Sequence, residues 1–378
     1  MRVALNLVFL VPGETGGMEV YARELLPRLA ALDAVEPIAI VNRVAAAERD
    51  APWSAGGAVR AVTAPVDARD RRQWVWGEQR HVPRLARAAG ADLVHSLAST
   101  GPVRLAGGPP RVTTVHDLHY AVVPEAHFGV RALGMRVLVP AAVKASRRVI
   151  AVSQATKDDV TRLIGFPAER VDVVHSAATP PDPAAPATPE PELRARLRLG
   201  ERPVLLSLAA KRPHKNVEGL IDALAEIPVE RRPLLVVPGY ATEHEPALRA
   251  RAQEAGVADD VRFPGWLPAA DVEGLWRIAA AHVLASYYEG FGLPVLEALA
   301  RGVPSACSDR ASLPEVAGDA ALLFDPADPA AIRIAIERLL GDAALRERLR
   351  AAGLARAARF SWERCARETT AVYERALA

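Results

Sequence analysis

The chain has 378 residues, too many for one typical domain and comfortable for two. Half of the residues are apolar and 24% are charged, which excludes disorder as the main state. The net charge is only +2, divided as 22 basic against 17 acidic side chains in residues 1–178 and 25 against 28 in the rest. So mild a bias gives no support to nucleic-acid binding.

Two cysteines, Cys307 and Cys365, are too few for a disulfide framework and lack metal-ligand spacing; they read as buried free thiols in a reducing cytoplasm. The first eleven residues, MRVALNLVFLV, are interrupted by Asn6 and followed by Pro12 and Gly13, so a buried first strand is expected over 2–11 rather than an export signal. No window reaches the roughly 20 apolar residues that a membrane span needs.

Beyond that strand, a helix is expected over 17–31. Strands follow at 92–97, 111–116 and 148–152, then a helix over 153–164 and a strand at 171–175. This alternation predicts a parallel sheet with helices on both faces. Thr179 to Pro191, TPPDPAAPATPEP, holds six prolines and reads as a linker or long surface loop. The rhythm then restarts, with strands at 203–208, 233–237, 260–263 and 282–286. Helices are expected at 216–226, 246–255, 271–279, 294–301 and from 329 onward. The organisation is therefore a first domain over 1–178, a proline-rich linker or hinge over 179–201, a second domain over 202–360, and a final amphipathic helix over 361–378 that can pack back on the first. Two doubly wound sheets in tandem are expected to face one another across a cleft, where open α/β sheets bind ligands.

The most informative stretch is Ser286 to Pro304, SYYEGFGLPVLEALARGVP. A strand ends at Ser286, Gly290 and Gly292 turn the chain, and Pro294 suits the first turn of a helix. Backbone N–H groups around Phe291, Gly292 and Leu293 then head a helix, an arrangement suited to a diphosphate. Glu289 and Glu297 flank that position and suit hydroxyl-rich groups such as a sugar ring and a ribose. The competing reading makes both glutamates solvated helix-flank charges.

The pattern E-G-F-G-L-P-x-L-E-A-L-A-x-G-x-P resembles the signature of the large retaining family of GT-B enzymes, glycosyltransferase family 4. Gly16-Gly17-Met18-Glu19, Thr113 to Leu118, Ile150 to Ser153, Lys215-Asn216, Pro238-Gly239 and Gly265-Trp266-Leu267 match in the same order. The resemblance implies a GT-B fold of two Rossmann-like domains and a hexosyltransferase; no H-E-x-x-H, Cys–His cluster or D-x-D motif appears in the sequence, so no metal and no cofactor are expected. Its donor would be a nucleotide sugar, GDP-mannose first and a UDP-sugar second, and its acceptor a glycan, a lipid-linked glycan or a small molecule. It further implies that Glu297 bonds the donor ribose, that Gly290, Phe291, Gly292 and Leu293 hold phosphate and sugar hydroxyls, and that Glu289 contacts the hexose. Lys215 would offset charge on the leaving diphosphate, His116 would lie beside the reacting sugar, and Gly16 and Gly17 would let the first loop approach the donor. Gly239, Trp266 and Leu267 complete the implied donor site. One departure stands out: the family often has an arginine after a glycine where this chain reads Ala209-Ala210, and Arg212 or His214 is the candidate replacement.

His119 and His127 read as acceptor-loop or surface residues. Arg71, Arg72, Trp74, Trp76, Arg84 and Arg87, with Arg131, Arg136, Lys144, Arg147 and Arg148, suggest either a basic face for a lipid phosphate or membrane surface, or ordinary solvated helix faces. Two other functions remain open on the same residues: a nucleotide-sugar-binding protein without transferase activity, and a sugar-nucleotide epimerase or phosphorylase on the same fold. A dinucleotide dehydrogenase is the weakest reading, since no G-x-G-x-x-G follows the first strand.

Overall fold

The computed structural model describes residues 1–103, 108–123, 130–179, 181–182 and 184–378, the side chains of 130–133 excepted. The chain divides into two units, Met1–Ala177 with Phe360–Ala378, and Ala178–Arg359.

The first unit is built on seven parallel strands: β1 (Arg2–Leu7), β2 (Glu36–Val41), β3 (Arg60–Thr63), β4 (Leu93–Ser96), β5 (Arg111–Val115), β6 (Arg148–Ala151) and β7 (Val171–Val173), in the order β3-β2-β1-β4-β5-β6-β7. Alternate residues of β1 serve opposite cores. Leu5 and Leu7 pack with Leu25 and Leu29 of the helix Gly17–Ala30, whereas Ala4, with Val8 just beyond the strand, packs with Val82 and Ala86. Burial on both faces is why the strands read as continuous apolar runs. β1 is shorter than the expected 2–11 because the Asn6 side chain accepts the Val8 amide at 3.1 Å and the Leu10 amide turns back to the Leu7 carbonyl.

The last helix, Trp362–Leu377, belongs to this first unit. Trp362, Cys365 and Tyr373 are buried in its core, and the Trp362 ring meets Tyr21 edge-on at 5.8 Å. Both cysteines are free and buried, and burial pushes each thiol up to about 12.

The second unit has six strands: β8 (Val204–Leu206), β9 (Leu234–Val236), β10 (Val261–Arg262), β11 (Ala279–Leu284), β12 (Ser305–Ser308) and β13 (Ala321–Phe324), in the order β10-β9-β8-β11-β12-β13. Every neighbouring pair in both sheets is parallel. In each sheet the strand order reverses once, between β1 and β4 and between β8 and β11. There the loops leaving the carboxyl ends diverge and open a crevice.

The segment 179–201 is not a linker throughout. Glu190–Leu197 is a helix with Pro191 in its first turn, where the missing N–H costs nothing. Leu193 is fully buried against Leu275 and Trp276, the Thr188 amide donates to the Ala270 carbonyl at 2.9 Å, and Asp271 binds both Thr188 and Arg196. Among the described residues, no helix is long and apolar enough to cross a membrane.

Candidate active site

Pairing of β8 with β11 brings together two loops far apart in sequence. After β8 the chain runs through Lys211 and Arg212 into a short 3-10 turn, Pro213–Lys215; after β11 it runs through Ser286 to Gly292. The Tyr287 amide donates to the His214 carbonyl at 2.8 Å, locking one loop to the other. Lys215 Nζ then reaches both oxygens of Glu289, at 2.7 and 2.8 Å. Ser286 Oγ donates to Glu289 Oε1 at 2.6 Å, and Ser312 Oγ donates to the Glu289 carbonyl at 2.9 Å. Only 17% of the Lys215 side chain and 10% of the Glu289 side chain meet solvent, so this is a shielded, well-bonded pair rather than a surface one. The reading of Glu289 as a solvated charge is thereby removed.

Gly292 follows, at φ 100°, capping the helix Leu293–Ala300. A Cβ there would lie 2.5 Å from Leu313 Cδ2, so both backbone and packing require glycine. Leu293 heads the helix, and its amide stands outside the i→i−4 ladder. Gly290 and Phe291 are buried beneath the turn.

Glu297 lies one turn into this helix and is half-buried. Burial lifts its carboxyl to about 7, opposed by the charge of Arg301. Arg301 nevertheless gives its guanidinium to Glu273, at 2.9 and 3.1 Å. The Glu297 carboxyl has no hydrogen-bond partner among the described residues.

Gly239 adopts φ 131°, and its carbonyl accepts from Lys211 Nζ at 2.7 Å. Lys211 is fully buried, also donates to the Tyr240 carbonyl at 3.2 Å, and has Glu245 at 3.5 Å. Burial pulls its amine down, against the charge of Glu245. The sequence reading passed over this lysine, which ties the Gly239 loop to the end of β8. Arg212 stands nearby in sequence, half-buried, its guanidinium without a partner among the described residues. Trp266 is 63% exposed and stacks on Tyr240 at 4.3 Å and 15°, while Leu267 beside it is buried.

The other candidates sit on the first unit. Gly16 precedes the helix Gly17–Ala30 at φ 62° and ψ −133°, a region open to glycine almost alone; nothing lies within 4 Å of where a Cβ would be, so the backbone, not space, demands it. His116 follows β5. Its Nε2 lies 2.7 Å from the Leu97 carbonyl, its amide donates to Ser99 Oγ at 3.2 Å, and its ring meets Tyr21 edge-on at 5.0 Å. With Nε2 carrying the proton toward Leu97, Nδ1 is left as the acceptor nitrogen. Burial pulls the imidazole pKa down, so the ring is neutral at neutral pH.

Behind His116 lies a support that the sequence reading missed. Residues Gly77–His81 form a π turn. From it, Glu78 Oε1 accepts from Asn6 Nδ2 at 3.1 Å and from Thr100 Oγ1 at 3.0 Å, and Gln79 bonds the Gly101 carbonyl and the Val103 amide, each at 2.9 Å. These bonds hold the loop that carries Leu97 and Ser99, the two groups His116 leans on. Burial raises the Glu78 carboxyl to about 7.

His119 contacts Asp117, and the His119 bond and charge overcome burial to hold that carboxyl low. His127 and the Arg131 side chain lie outside the described residues. The expected basic face is partly consumed: Arg148 binds Asp172 at 2.6 and 3.0 Å, and of the two tryptophans only Trp76 is exposed, under Arg80. Among the described residues, no group of three or more His, Cys, Asp or Glu is placed to hold a metal ion.

Comparison with known proteins agrees with this geometry. Residues 15–178 match the model of Glycosyltransferase Family 4, and residues 189–356 that of Glycosyl transferases group 1. O-antigen chain mannosyltransferase B of Escherichia coli is 35% identical over 267 residues, 70% of each chain. The D-inositol 3-phosphate glycosyltransferase of Frankia alni is 31% identical over 97% of this chain and 96% of its own. Anabaena HepE, solved in complex with UDP-glucose, shares the fold with a TM-score of 0.72 over 99% of both chains at 19% identity. The chain belongs to glycosyltransferase family 4 and has the GT-B fold.

Proposed function

We propose that this glycosyltransferase moves a hexose from a nucleotide diphosphate sugar to a hydroxyl of a glycan acceptor, with retention of configuration and without a metal. The observation that carries the donor assignment is the pair of differently prepared carboxylates around the Gly292 turn. Glu297 is an unpartnered acceptor suited to a ribose diol, and Glu289 is an anchored carboxylate suited to the sugar ring. An ammonium has three hydrogens and Lys215 gives two bonds to Glu289, which leaves one for a diphosphate oxygen. Arg212, and the helix N-terminus at Leu293, add positive potential for the same diphosphate. His116 would present Nδ1 to a hydroxyl of the reacting sugar, with Gly16 and Gly17 close to the donor.

In this reading the anomeric carbon breaks its bond to the phosphate oxygen and forms one to the acceptor oxygen on the same face. The acceptor proton passes to the departing phosphate. Mannose from GDP-mannose is the first donor to test, supported by the mannosyltransferase name of the E. coli relative; a UDP-sugar is second, supported by the ligand of HepE. The acceptor is a glycan, a lipid-linked glycan or a small molecule, and the cytoplasm is the proposed place of work, with the inner face of the membrane as the alternative.

The test is to incubate the protein with GDP-mannose or UDP-glucose and mannose-terminated acceptors, with and without EDTA, and to read the anomeric configuration of the product by NMR. An α-linked product unaffected by EDTA is expected. A β-linked product would refute the same-face route, loss of activity in EDTA restored by Mg²⁺ or Mn²⁺ would refute metal independence, and nucleotide binding without turnover would favour a silent binding protein.

A further inference from the structure

At the amino-terminal edge of the first sheet, opposite to the edge that carries His116, lies a second concavity. It has a volume of about 430 Å³ and is lined by Arg111, Lys144, Arg147 and Arg170 around Pro109, Pro110 and Ser146. Arg111 begins β5, Arg147 immediately precedes β6, and Arg170 immediately precedes β7, so three neighbouring parallel strands deliver their cations to one place. Among the described residues, no Asp or Glu lines it.

Elsewhere among the described residues, many arginines are matched with carboxylates: Arg23 with Glu19 and Glu48, Arg232 with Asp260, Arg301 with Glu273. Here they are not. Arg111 Nη1 donates to the Pro102 and Val103 carbonyls at 2.7 and 2.6 Å, and Arg170 donates to the Ser146 and Arg147 carbonyls at 2.7 and 2.9 Å. Arg170 also lies over the Phe166 ring, 4.8 Å from its centroid. These contacts fix the planes of both guanidiniums, yet each retains N–H donors from its set of five. Lys144 and Arg147 have no side-chain partner among the described residues. Of the two carboxylates nearest in sequence, Asp172 is already shared by Arg148 and Arg375, and the exposed Glu169, next to Arg170, pairs with none of the four.

A bland role exists for part of this set: Lys144 in the last turn of the helix Val130–Lys144 complements the helix dipole, and the two clamped arginines cap loop carbonyls. That role explains the clamping. It does not explain four cations around one cavity with no counter-charge. Two immobilised guanidiniums with spare forked donors, beside two unengaged cations, form a preorganised receptor for a tetrahedral oxyanion.

We propose that this pocket binds a phosphate group, distinct from the donor diphosphate and on the opposite edge of the sheet from His116. The phosphate is carried either by a soluble phosphate compound or by an anionic lipid headgroup. The proposal does not depend on the donor or acceptor assigned above.

The test uses the full chain and the variant Lys144→Gln/Arg147→Gln, whose two residues make no side-chain bond that folding needs. Inorganic pyrophosphate is titrated calorimetrically at low and high salt, with hydrogen exchange to locate protection; vesicles of phosphatidylcholine with and without phosphatidic acid form the second arm. Expected is pyrophosphate binding that protects residues 108–111 and 144–147, weakens with salt, and falls at least tenfold in the variant while its melting temperature is retained. Pyrophosphate binding without vesicle binding identifies a soluble phosphate as the source. Vesicle binding that requires phosphatidic acid, is reduced in the variant and is competed by pyrophosphate identifies the headgroup. Undiminished binding in the variant, or protection confined to residues 286–297, would overturn the proposal, as would the absence of binding in both arms.

Discussion

Replacing Lys215 by methionine tests whether the Lys215–Glu289 pair holds the site as well as serving it. The substitution leaves Glu289 with the Ser286 hydroxyl alone, its side chain still only 10% exposed. Removing one member of a buried pair costs about 3–5 kcal/mol; because both side chains retain some solvent contact, we expect a cost below that range, about 2–3 kcal/mol. For a unit of this size that is a fall in melting temperature of about 5–10 °C. Glu289→Gln should behave differently. Its remaining carbonyl oxygen accepts from both Ser286 and Lys215, so the loss should stay near 1 kcal/mol, while turnover should fall about 10²–10³-fold through the lost negative charge beside the sugar. Calorimetric melting of both single variants and the double variant at neutral pH, with donor-dependent turnover measured in parallel, completes a cycle in which the double variant is more stable than the sum of the singles predicts. Additive losses, or a Lys215→Met protein that melts with the wild type, would show that the pair is solvated and the argument from its burial unsound. Full turnover in Glu289→Gln would remove that carboxylate from the chemistry.

Glu78 gives a pH prediction for the first unit. Its carboxyl titrates near 7 in the fold against 4.5 for the ordinary group, so the folded chain holds this proton more tightly. The associated stability is complete below about pH 4.5 and is lost as pH rises through 7, an interval that corresponds to about 3 kcal/mol. Denaturation of wild type and Glu78→Gln at pH 5 and pH 8 should show the wild type losing about 2–3 kcal/mol more over that range; parallel curves would contradict it. Glu297, raised to about 7 by burial, should tie donor affinity to pH. If its ionised form accepts the ribose hydroxyls, binding of a nucleotide sugar strengthens up to about tenfold per pH unit below 7 and levels off above 8, and calorimetry on Glu297→Gln should give a flat profile. Two glycines separate backbone cost from packing cost. Gly16→Ala meets no atom and should cost about 1–3 kcal/mol from φ 62° alone, whereas Gly292→Ala adds a 2.5 Å collision with Leu313 and should destabilise more and abolish nucleotide binding. Equal melting temperatures for the two variants would argue against that partition.

What could be read from the sequence divides along a physical line. Segments whose structure is dictated locally were legible: most of the doubly buried strands as apolar runs, and the Glu289–Glu297 stretch because a glycine turn followed by a proline-led helix admits few backbones. β3, with the sequence RAVT and mostly exposed, carries no such pattern and was missed, as were β2, which opens with Glu-Pro, and the four-residue β12 and β13. The helix Glu190–Leu197 was hidden by the prolines around it, because what fixes it is a single buried leucine and the Asp271 side chain, about eighty positions on in the sequence. The same distinction governs the site. Lys215 reads as a lone cation, and its bond to a carboxylate 74 positions later follows only once β8 lies beside β11. Lys211 is equally opaque, since its partners are main-chain carbonyls 28 and 29 positions on, and carbonyls have no sequence signature. Glu78 is a further case: it reaches His116 only through the loop at Thr100. In a parallel sheet the residues that meet at a switch point come from opposite sides of a crossover, so motifs can name what each loop contributes. Which charge answers which is decided by strand order.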